Sequence, residues 1–133
     1  MHAGSCLCGG VSYRIDGPLG DLVLCHCSRC RKANGSAFQA VSPIATADFV
    51  LLSGADLLSE YSSSPGVHRV YCRVCHAPLY SRRDAAPDML RLRVGTLDTP
   101  VDAPVRMHIF TASRAEWYEI RDPAPQHPDR PGE

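Results

Sequence analysis

Hydrophobic and polar residues alternate along short segments of this chain, and turn residues separate the segments. Residues 10–15 alternate with a period of two until Asp16-Gly17-Pro18 ends the pattern, and residues 89–95 alternate in the same way. A period of two is typical of a β-strand with one polar face. Residues 28–35 suit a turn or a single helical turn closed by Asn34-Gly35. The pattern predicts a mainly β fold of short antiparallel strands with at most short helical turns.

The length and the C-terminal composition indicate the domain organisation. A chain of 133 residues has room for one hydrophobic core. Residues 122–133 are rich in proline and poor in large apolar side chains, which disfavours a packed core. We therefore expect a single domain over residues 1–121 and a flexible tail over residues 122–133.

Charge and hydropathy narrow the classes of partner. The 14 basic and 14 acidic residues cancel to a formal net charge of zero, which gives no electrostatic support for nucleic acid as the main partner. The chain has no apolar run near the roughly 20 residues that cross a bilayer, so we expect no membrane contact. The first residues lack the features of a signal peptide, and we expect a cytoplasmic protein. Disulfides are rare in that compartment.

The seven cysteines fall into three short groups. On an extended backbone, residues two apart point to the same face, so a Cys-x-Cys pair can hold one ion. A Cys-x-x-Cys turn presents two thiolates and is the usual half of a zinc site. The division that we favour has a four-thiolate site of Cys6, Cys8, Cys72 and Cys75 and a three-thiolate site of Cys25, Cys27 and Cys30.

Two other assignments of the cysteines stay open on spacing alone. Cys27, Cys30, Cys72 and Cys75 can form a widely split zinc ribbon, which leaves the remaining three cysteines without a site. Disulfides are the second alternative, although the odd number of cysteines and the strain of a Cys-x-Cys bridge count against them. The favoured division has a chemical consequence, because closed four-ligand zinc sites are structural and three-ligand sites keep a position open for chemistry.

The segments around the cysteines resemble the glutathione-dependent formaldehyde-activating enzyme and centromere protein V family. The matching residues run from Gly4-Ser5-Cys6-Leu7-Cys8-Gly9 to Tyr13, from Cys25-His26-Cys27 to Phe38, and from Tyr71 to Cys75. The resemblance implies paired antiparallel β-sheets of the β-tent (RabGEF-like) type that carry zinc. It also implies that Cys6, Cys8, Cys72 and Cys75 are structural and that Cys25, Cys27 and Cys30 hold the reactive zinc.

The activity that the resemblance implies is the addition of glutathione to formaldehyde, which is formally a carbon–sulfur lyase reaction in reverse. We expect a small thiol, glutathione or similar, and a small aldehyde to meet at the open three-cysteine site, with Cys25, Cys27 and Cys30 as its catalytic residues. His108 is our candidate proton donor. Arg31, Asn34 and Ser36 are our candidate contacts to the thiol. The alternatives are a non-catalytic zinc and thiol-binding module and a zinc-ribbon-like interaction domain.

Overall fold

The structure, a computed structural model, describes residues 1–131 and is built mainly from short strands. Within those residues the strands, in chain order, are β1 (His2–Ser5), β2 (Ser12–Ile15), β3 (Leu22–Cys25), β4 (Gln39–Ala45), β5 (Phe49–Ser53), β6 (Leu58–Ser64), β7 (Val67–Cys72), β8 (Pro78–Arg83), β9 (Ala86–Arg93) and β10 (Val105–Ile109). One α-helix, α1 (Ser28–Asn34), and short 3-10 turns complete the described part. The prediction of a mainly β fold is confirmed.

The strands form two sheets of different size. The small sheet has the order β1-β2-β5, and the large sheet has the order β10-β3-β4-β9-β8-β7-β6. Neighbouring strands are antiparallel, as predicted, except that β10 runs parallel to β3. The exception has a topological cause: most of the large sheet lies between these two strands in the sequence, so no tight hairpin forces them to reverse direction.

Helix α1 begins and ends as its sequence requires. The Sγ atom of Cys27 accepts a hydrogen bond from the backbone N–H of Cys30 and so caps the first turn. Gly35 ends the helix in the left-handed conformation, at φ 63°, and its N–H donates to the carbonyl of Arg31. With seven residues the helix makes about two turns. It is longer than the predicted single turn, and it presents Cys30 on its buried side.

The C-terminal segment lies beside β10 in the described residues. The backbone N–H of His108 donates to the carbonyl of Pro125, and the N–H of His127 donates to the carbonyl of His108, both at 2.9 Å. These bonds give residues 122–131 a defined course along the sheet edge, where we expected a flexible tail. The division of the domain at residue 121 stays a prediction, and residues 132 and 133 lie outside the described part.

The main core lies between the two sheets. Tyr13 and Ile15 of β2 are fully buried against Leu79 of β8 and Leu92 of β9. The ring of Tyr13 stacks on that of Phe49, with centroids 5.2 Å apart. Burial of such large apolar side chains contributes roughly 1.5–3 kcal/mol each, so the packing of Tyr13 and Ile15 against Leu79 and Leu92 is a major source of stability. In the described residues no helix has the length and apolar character needed to span a membrane.

The glycine between β5 and β6 supplies a test of this packing. Gly54 has φ 86°, and a Cβ atom there would lie 2.4 Å from the carbonyl oxygen of Gly10. We expect Gly54→Ala to lower the free energy of unfolding by about 1–3 kcal/mol more than backbone strain alone. Gly66→Ala is the matched control, because Gly66 also has a positive φ, of 74°, but its added Cβ would meet nothing closer than 3.8 Å. Urea unfolding of both zinc-loaded variants measures the difference, and equal losses would contradict the packing argument.

Candidate metal centres and active-site cavity

Four cysteines from two distant parts of the chain meet at one end of the core. Cys6 and Cys8 lie in the turn between β1 and β2, whereas Cys72 ends β7 and Cys75 lies in the turn before β8. Their Sγ atoms all lie within 4.8 Å of one another. We call this group the four-cysteine cluster. It joins the small sheet to the large sheet, as the favoured division of the cysteines predicts.

Backbone hydrogen bonds shape both turns of the four-cysteine cluster. The N–H of Val11 donates to the Sγ atom of Cys6 at 3.2 Å. In the second turn the N–H of His76 donates to the carbonyl of Cys72 at 2.8 Å. His76 adopts φ 63°, a left-handed conformation that glycine takes without strain and that costs other residues about 1–2 kcal/mol. The Cys72-x-x-Cys75 turn therefore keeps its tight backbone conformation with a histidine at position 76.

Three more cysteines meet at the junction of β3 and α1. Cys25 ends β3, Cys27 caps α1, and Cys30 lies one turn into that helix. Their Sγ atoms also lie within 4.8 Å of one another, and we call this group the three-cysteine cluster. Hydrogen bonds from the thiols of Cys25 and Cys30 lower the pKa of Cys27 to about 2. The bond to Cys27 in turn raises the pKa of Cys25.

The sulfur geometry fits a tetrahedral metal ion. With Zn–S bonds of about 2.3 Å, two thiolates on one tetrahedral zinc lie about 3.8 Å apart. The Sγ atoms of Cys6 and Cys8 are 3.6 Å apart, and those of Cys8 and Cys72 are 3.9 Å apart. All seven cysteines are free thiols. Both clusters can therefore hold a metal ion, the first with four protein ligands and the second with three.

A cavity of about 410 Å³ opens beside the three-cysteine cluster, and Cys25, Cys27 and Cys30 form part of its wall. This volume is within the range of small-molecule sites. Apolar side chains of β3, β4 and β10 line one part of the wall. Among the described residues, no aspartate or glutamate lines the cavity and seven arginines do: Arg29, Arg69, Arg83, Arg91, Arg93, Arg106 and Arg130. The cavity suits a ligand with negative charge.

Two of these arginines lie close to the sulfur atoms. Arg69 donates through Nη2 to the Sγ atom of Cys30 at 3.7 Å and through Nη1 to the Oε1 atom of Gln39 at 3.2 Å. Arg93 is only 4% exposed and donates to the hydroxyl of Ser81. Burial, followed by the positive charge of Arg69, lowers the pKa of Arg93 to about 10, so it stays charged at neutral pH. In the described residues, the Nε atoms of both arginines are buried and lack a hydrogen-bond partner.

The three residues predicted to contact the thiol lie outside this cavity. The side chains of Asn34 and Ser36 both donate to the carbonyl of Phe38, at 3.3 and 2.8 Å, and so fix the turn after α1. Arg31 belongs to α1 and does not line the cavity. Arg69, Arg93 and Gln39 replace these three as the candidate contacts, because they line the cavity beside Cys30.

His108, the candidate proton donor, also lies outside this cavity. It is fully buried on β10, whereas its neighbours Met107 and Ile109 line the cavity. The ring of His108 bonds instead to His26 and Asp122. Successive side chains of a strand point to opposite faces, which explains why His108 faces away from the cysteines. It is therefore no longer our candidate proton donor.

The sequence contains a signal for one of the cavity arginines, although the predicted site residues did not include it. Residues 89–95 alternate as predicted, and we expected their polar face to meet solvent. The structure turns Arg91 and Arg93 of that face towards the cavity, and Arg93 is buried. Arginines that alternate with leucines can therefore mark a polar cavity. Arg69 had no comparable signal, because only the pairing of β7 with β8 brings its strand to the site.

Together the two sheets and the two cysteine clusters define a class of protein: a β-sheet protein with one four-cysteine and one three-cysteine group, each able to hold a metal ion. Comparison with known proteins identifies the family. The profile of the glutathione-dependent formaldehyde-activating enzyme family matches residues 1–113. This chain belongs to that family.

One curated protein and one solved structure are similar to this chain. A Halomonas elongata protein, named provisionally as a glutathione-dependent formaldehyde-activating enzyme, is 30% identical over 125 residues, which cover 88% of this chain and 79% of the relative. The crystal structure of a Rhodobacter sphaeroides protein superimposes with a TM-score of 0.63 at 22% identity, covering 77% of this chain and 98% of that one. The second likeness supports the fold alone.

The two clusters should differ in what their loss does to the protein. Cys72 is fully buried in the main core. Cys72→Ser should therefore remove zinc from the four-cysteine cluster, and the domain should no longer fold cooperatively. Cys30→Ser should lose the second zinc and keep a cooperatively folded domain with about one zinc per chain. Elemental analysis for zinc and thermal unfolding followed by circular dichroism measure both effects. Two zinc ions in the Cys30→Ser protein would refute the assignment of the three-cysteine cluster.

Proposed function

We propose that this protein catalyses the addition of a small thiol, glutathione or a similar one, to formaldehyde or another small aldehyde at the three-cysteine cluster. The observation that carries the proposal is the arginine-lined cavity, which opens onto three thiolates that leave one tetrahedral position free. The family is named for this activity with glutathione and formaldehyde. The catalytic role of Cys25, Cys27 and Cys30 is part of the proposal.

The charges of the cavity favour glutathione as the thiol. Glutathione carries two carboxylates, and guanidinium groups bind carboxylates through paired, charge-assisted hydrogen bonds. The buried Nε atoms of Arg69 and Arg93 supply two donors beside Cys30 that a carboxylate or another acceptor can use. Apolar side chains such as Val23 and Ile109 line the same cavity and can exclude water from the reacting atoms.

The reaction needs only the thiol and the aldehyde. The sulfur atom adds to the carbonyl carbon, so a C–S bond forms while the π pair of the C=O bond moves to oxygen. The proton that leaves the thiol ends on that oxygen, and the product is a hemithioacetal. A zinc ion held by Cys25, Cys27 and Cys30 would supply a Lewis acid that favours the thiolate form of a thiol at neutral pH. The arginines hold and orient the thiol, which converts the encounter with aldehyde into a positioned reaction.

We also propose that each of the two clusters binds zinc. The four-cysteine cluster has no open position, and we assign it a structural zinc. The three-cysteine cluster has the ligand number of a reactive site. The cytoplasmic location stays a prediction, as does the absence of membrane or nucleic-acid partners. A non-catalytic thiol-binding module remains the alternative that the next experiment separates.

Catalysis can be measured directly at chemical equilibrium. Formaldehyde and glutathione combine spontaneously, so exchange spectroscopy by NMR with ¹³C-formaldehyde gives the rate at which the adduct forms and breaks. We expect the zinc-loaded protein to raise this exchange rate in proportion to its concentration, and Cys30→Ser to give the spontaneous rate. A zinc-loaded protein that binds glutathione and leaves the exchange rate unchanged would make the protein a binding module.

The role of the cavity arginines has a separate test. Arg69→Gln removes one charge beside Cys30, and hydrogen bonds to charged groups contribute about 1.5–3 kcal/mol. We expect the ratio of kcat/KM for glutathione to kcat/KM for the uncharged thiol 2-mercaptoethanol to fall about tenfold or more. Any effect of Arg69 on the cysteines changes both kcat/KM values alike, because both thiols use the same cluster. Such an effect therefore leaves the ratio unchanged.

The matched control for this ratio is Arg82→Gln. Arg82 lies on β8 in the same sheet, pairs with Glu60 on the surface, and does not line the cavity. This variant should keep the ratio of the two kcat/KM values. An unchanged ratio in Arg69→Gln would rule out Arg69 as a contact to the charged part of glutathione.

A further inference from the structure

A buried chain of hydrogen bonds links the C-terminal segment to the loop that carries the three-cysteine cluster. The Nε2 atom of His26 lies 2.8 Å from the Nδ1 atom of His108. The Nε2 atom of His108 lies 2.9 and 3.0 Å from the two carboxylate oxygens of Asp122. Both histidines are fully buried. His26 lies between the proposed ligands Cys25 and Cys27. The series of hydrogen bonds therefore ends in the loop between β3 and α1, beside two of the three cysteines.

When His108 is neutral, the carboxylate of Asp122 determines the tautomer of both rings. A carboxylate only accepts hydrogen bonds, so the Nε2 atom of His108 carries the proton and donates to Asp122. The Nδ1 atom of a neutral His108 is then an acceptor, and the Nε2 atom of His26 donates to it. The order of donors runs in one direction, from His26 to Asp122. A ring flip or a change of tautomer at His26 would leave buried polar atoms without their bonds, which costs about 1–3 kcal/mol each.

Other contacts hold His26 in the same orientation. The backbone N–H of His26 donates to the carbonyl of Ile109 on β10 at 3.0 Å. Its ring packs against those of Phe38 and Tyr118, with centroids 5.4 and 6.4 Å away. His26 therefore fixes the loop between β3 and α1 to β10 through both its backbone N–H and its side chain. Asp122 is the exposed end of this arrangement, with 40% of its side chain accessible.

We propose that Asp122, acting through His108 and His26, positions the loop of Cys25, Cys27 and Cys30 and sets the affinity of this cluster for its metal ion. Asp122, His108 and His26 are positioning residues in this proposal, since none lines the cavity. Asp122 lies beyond residues 1–113, the part that matches the family. The C-terminal segment is then a working part of the metal site. The inference rests on the proposed function, because it takes the three-cysteine cluster as a zinc site.

The test compares the two clusters within one protein. Zinc titration of the full chain against a chromophoric chelator gives a dissociation constant for each site. Loss of a hydrogen-bond partner behind metal ligands typically weakens binding 10–100-fold. We expect Asp122→Ala to weaken the three-cysteine site about tenfold and to leave the four-cysteine site unchanged. Asp122→Asn keeps an acceptor oxygen for His108 and should restore part of the affinity.

Glu119→Ala is the matched control in the same segment. Glu119 is exposed, and its carboxylate pairs with exposed Arg121 at 3.3 Å, so its loss should change neither constant. The ¹⁵N shifts of the histidine rings give a second readout. The shifts in the wild type should show both rings protonated at Nε2, and the signals of His108 should move towards a mixture of tautomers in Asp122→Ala. A role of Asp122 in overall stability alone would not produce this spectroscopic change.

The outcomes separate the inference from the proposed function. A wild-type protein that binds only one zinc ion would overturn both. If the Asp122→Ala protein binds two zinc ions with the same dissociation constants as the wild type, the positioning role is overturned and the proposed function stands. Equal weakening of both sites would also overturn it, because a general loss of stability would then explain the effect.

Discussion

The contact between two cysteine pairs that are far apart in sequence is the constraint on which the rest of the structure depends. Cys6 and Cys8 lie in the turn that joins two strands of the small sheet, whereas Cys72 ends a strand of the large sheet and Cys75 lies in the turn that follows it. Small domains bury too little apolar surface to be strongly stable, and a metal ion that binds only the folded chain adds its binding free energy to folding. The same two sheets enclose the main core, in which Tyr13 and Ile15 of the small sheet cluster with Leu79 and Leu92 of the large one.

The three-cysteine cluster is separate from the contact that joins the two sheets. It uses none of the residues of the four-cysteine cluster, and it lies on β3 and α1 beside its own small core. Strands of the large sheet line the cavity beside it, and β7 and β9 contribute arginines. Buried guanidinium groups are costly when unpaired, so their presence beside thiolates indicates a site built for anions. Under the proposed function, a separation of stability from chemistry accounts for the different numbers of ligands in the two clusters.

The sequence was sufficient for the fold class, which follows from short-range patterns. Spacing left more than one division of the cysteines open, and the family resemblance supported the division into the two groups that the structure brings together. Alternation by two residues determines strand faces, and Cys-x-Cys and Cys-x-x-Cys spacings determine which thiolates can share an ion. The cavity was not predictable in this way. Arg69 reaches Cys30 only because β7 and β9 flank β8 in the same sheet as β4. The same limit applies to His108: alternation gives its strand two faces but does not say which one meets a site.

The C-terminal segment shows the limit of composition as a guide. The segment is rich in proline and poor in large apolar side chains, and we expected a flexible tail because that composition disfavours a packed core. The prolines here supply carbonyl oxygens instead: Pro125 accepts from the N–H of His108, and Pro128 accepts from that of Ala112. A proline-rich strand edge can thus pair through its acceptors while non-proline residues such as His127 donate. This arrangement brings Asp122 to His108, so the position of one carboxylate depends on a segment whose composition alone indicates disorder.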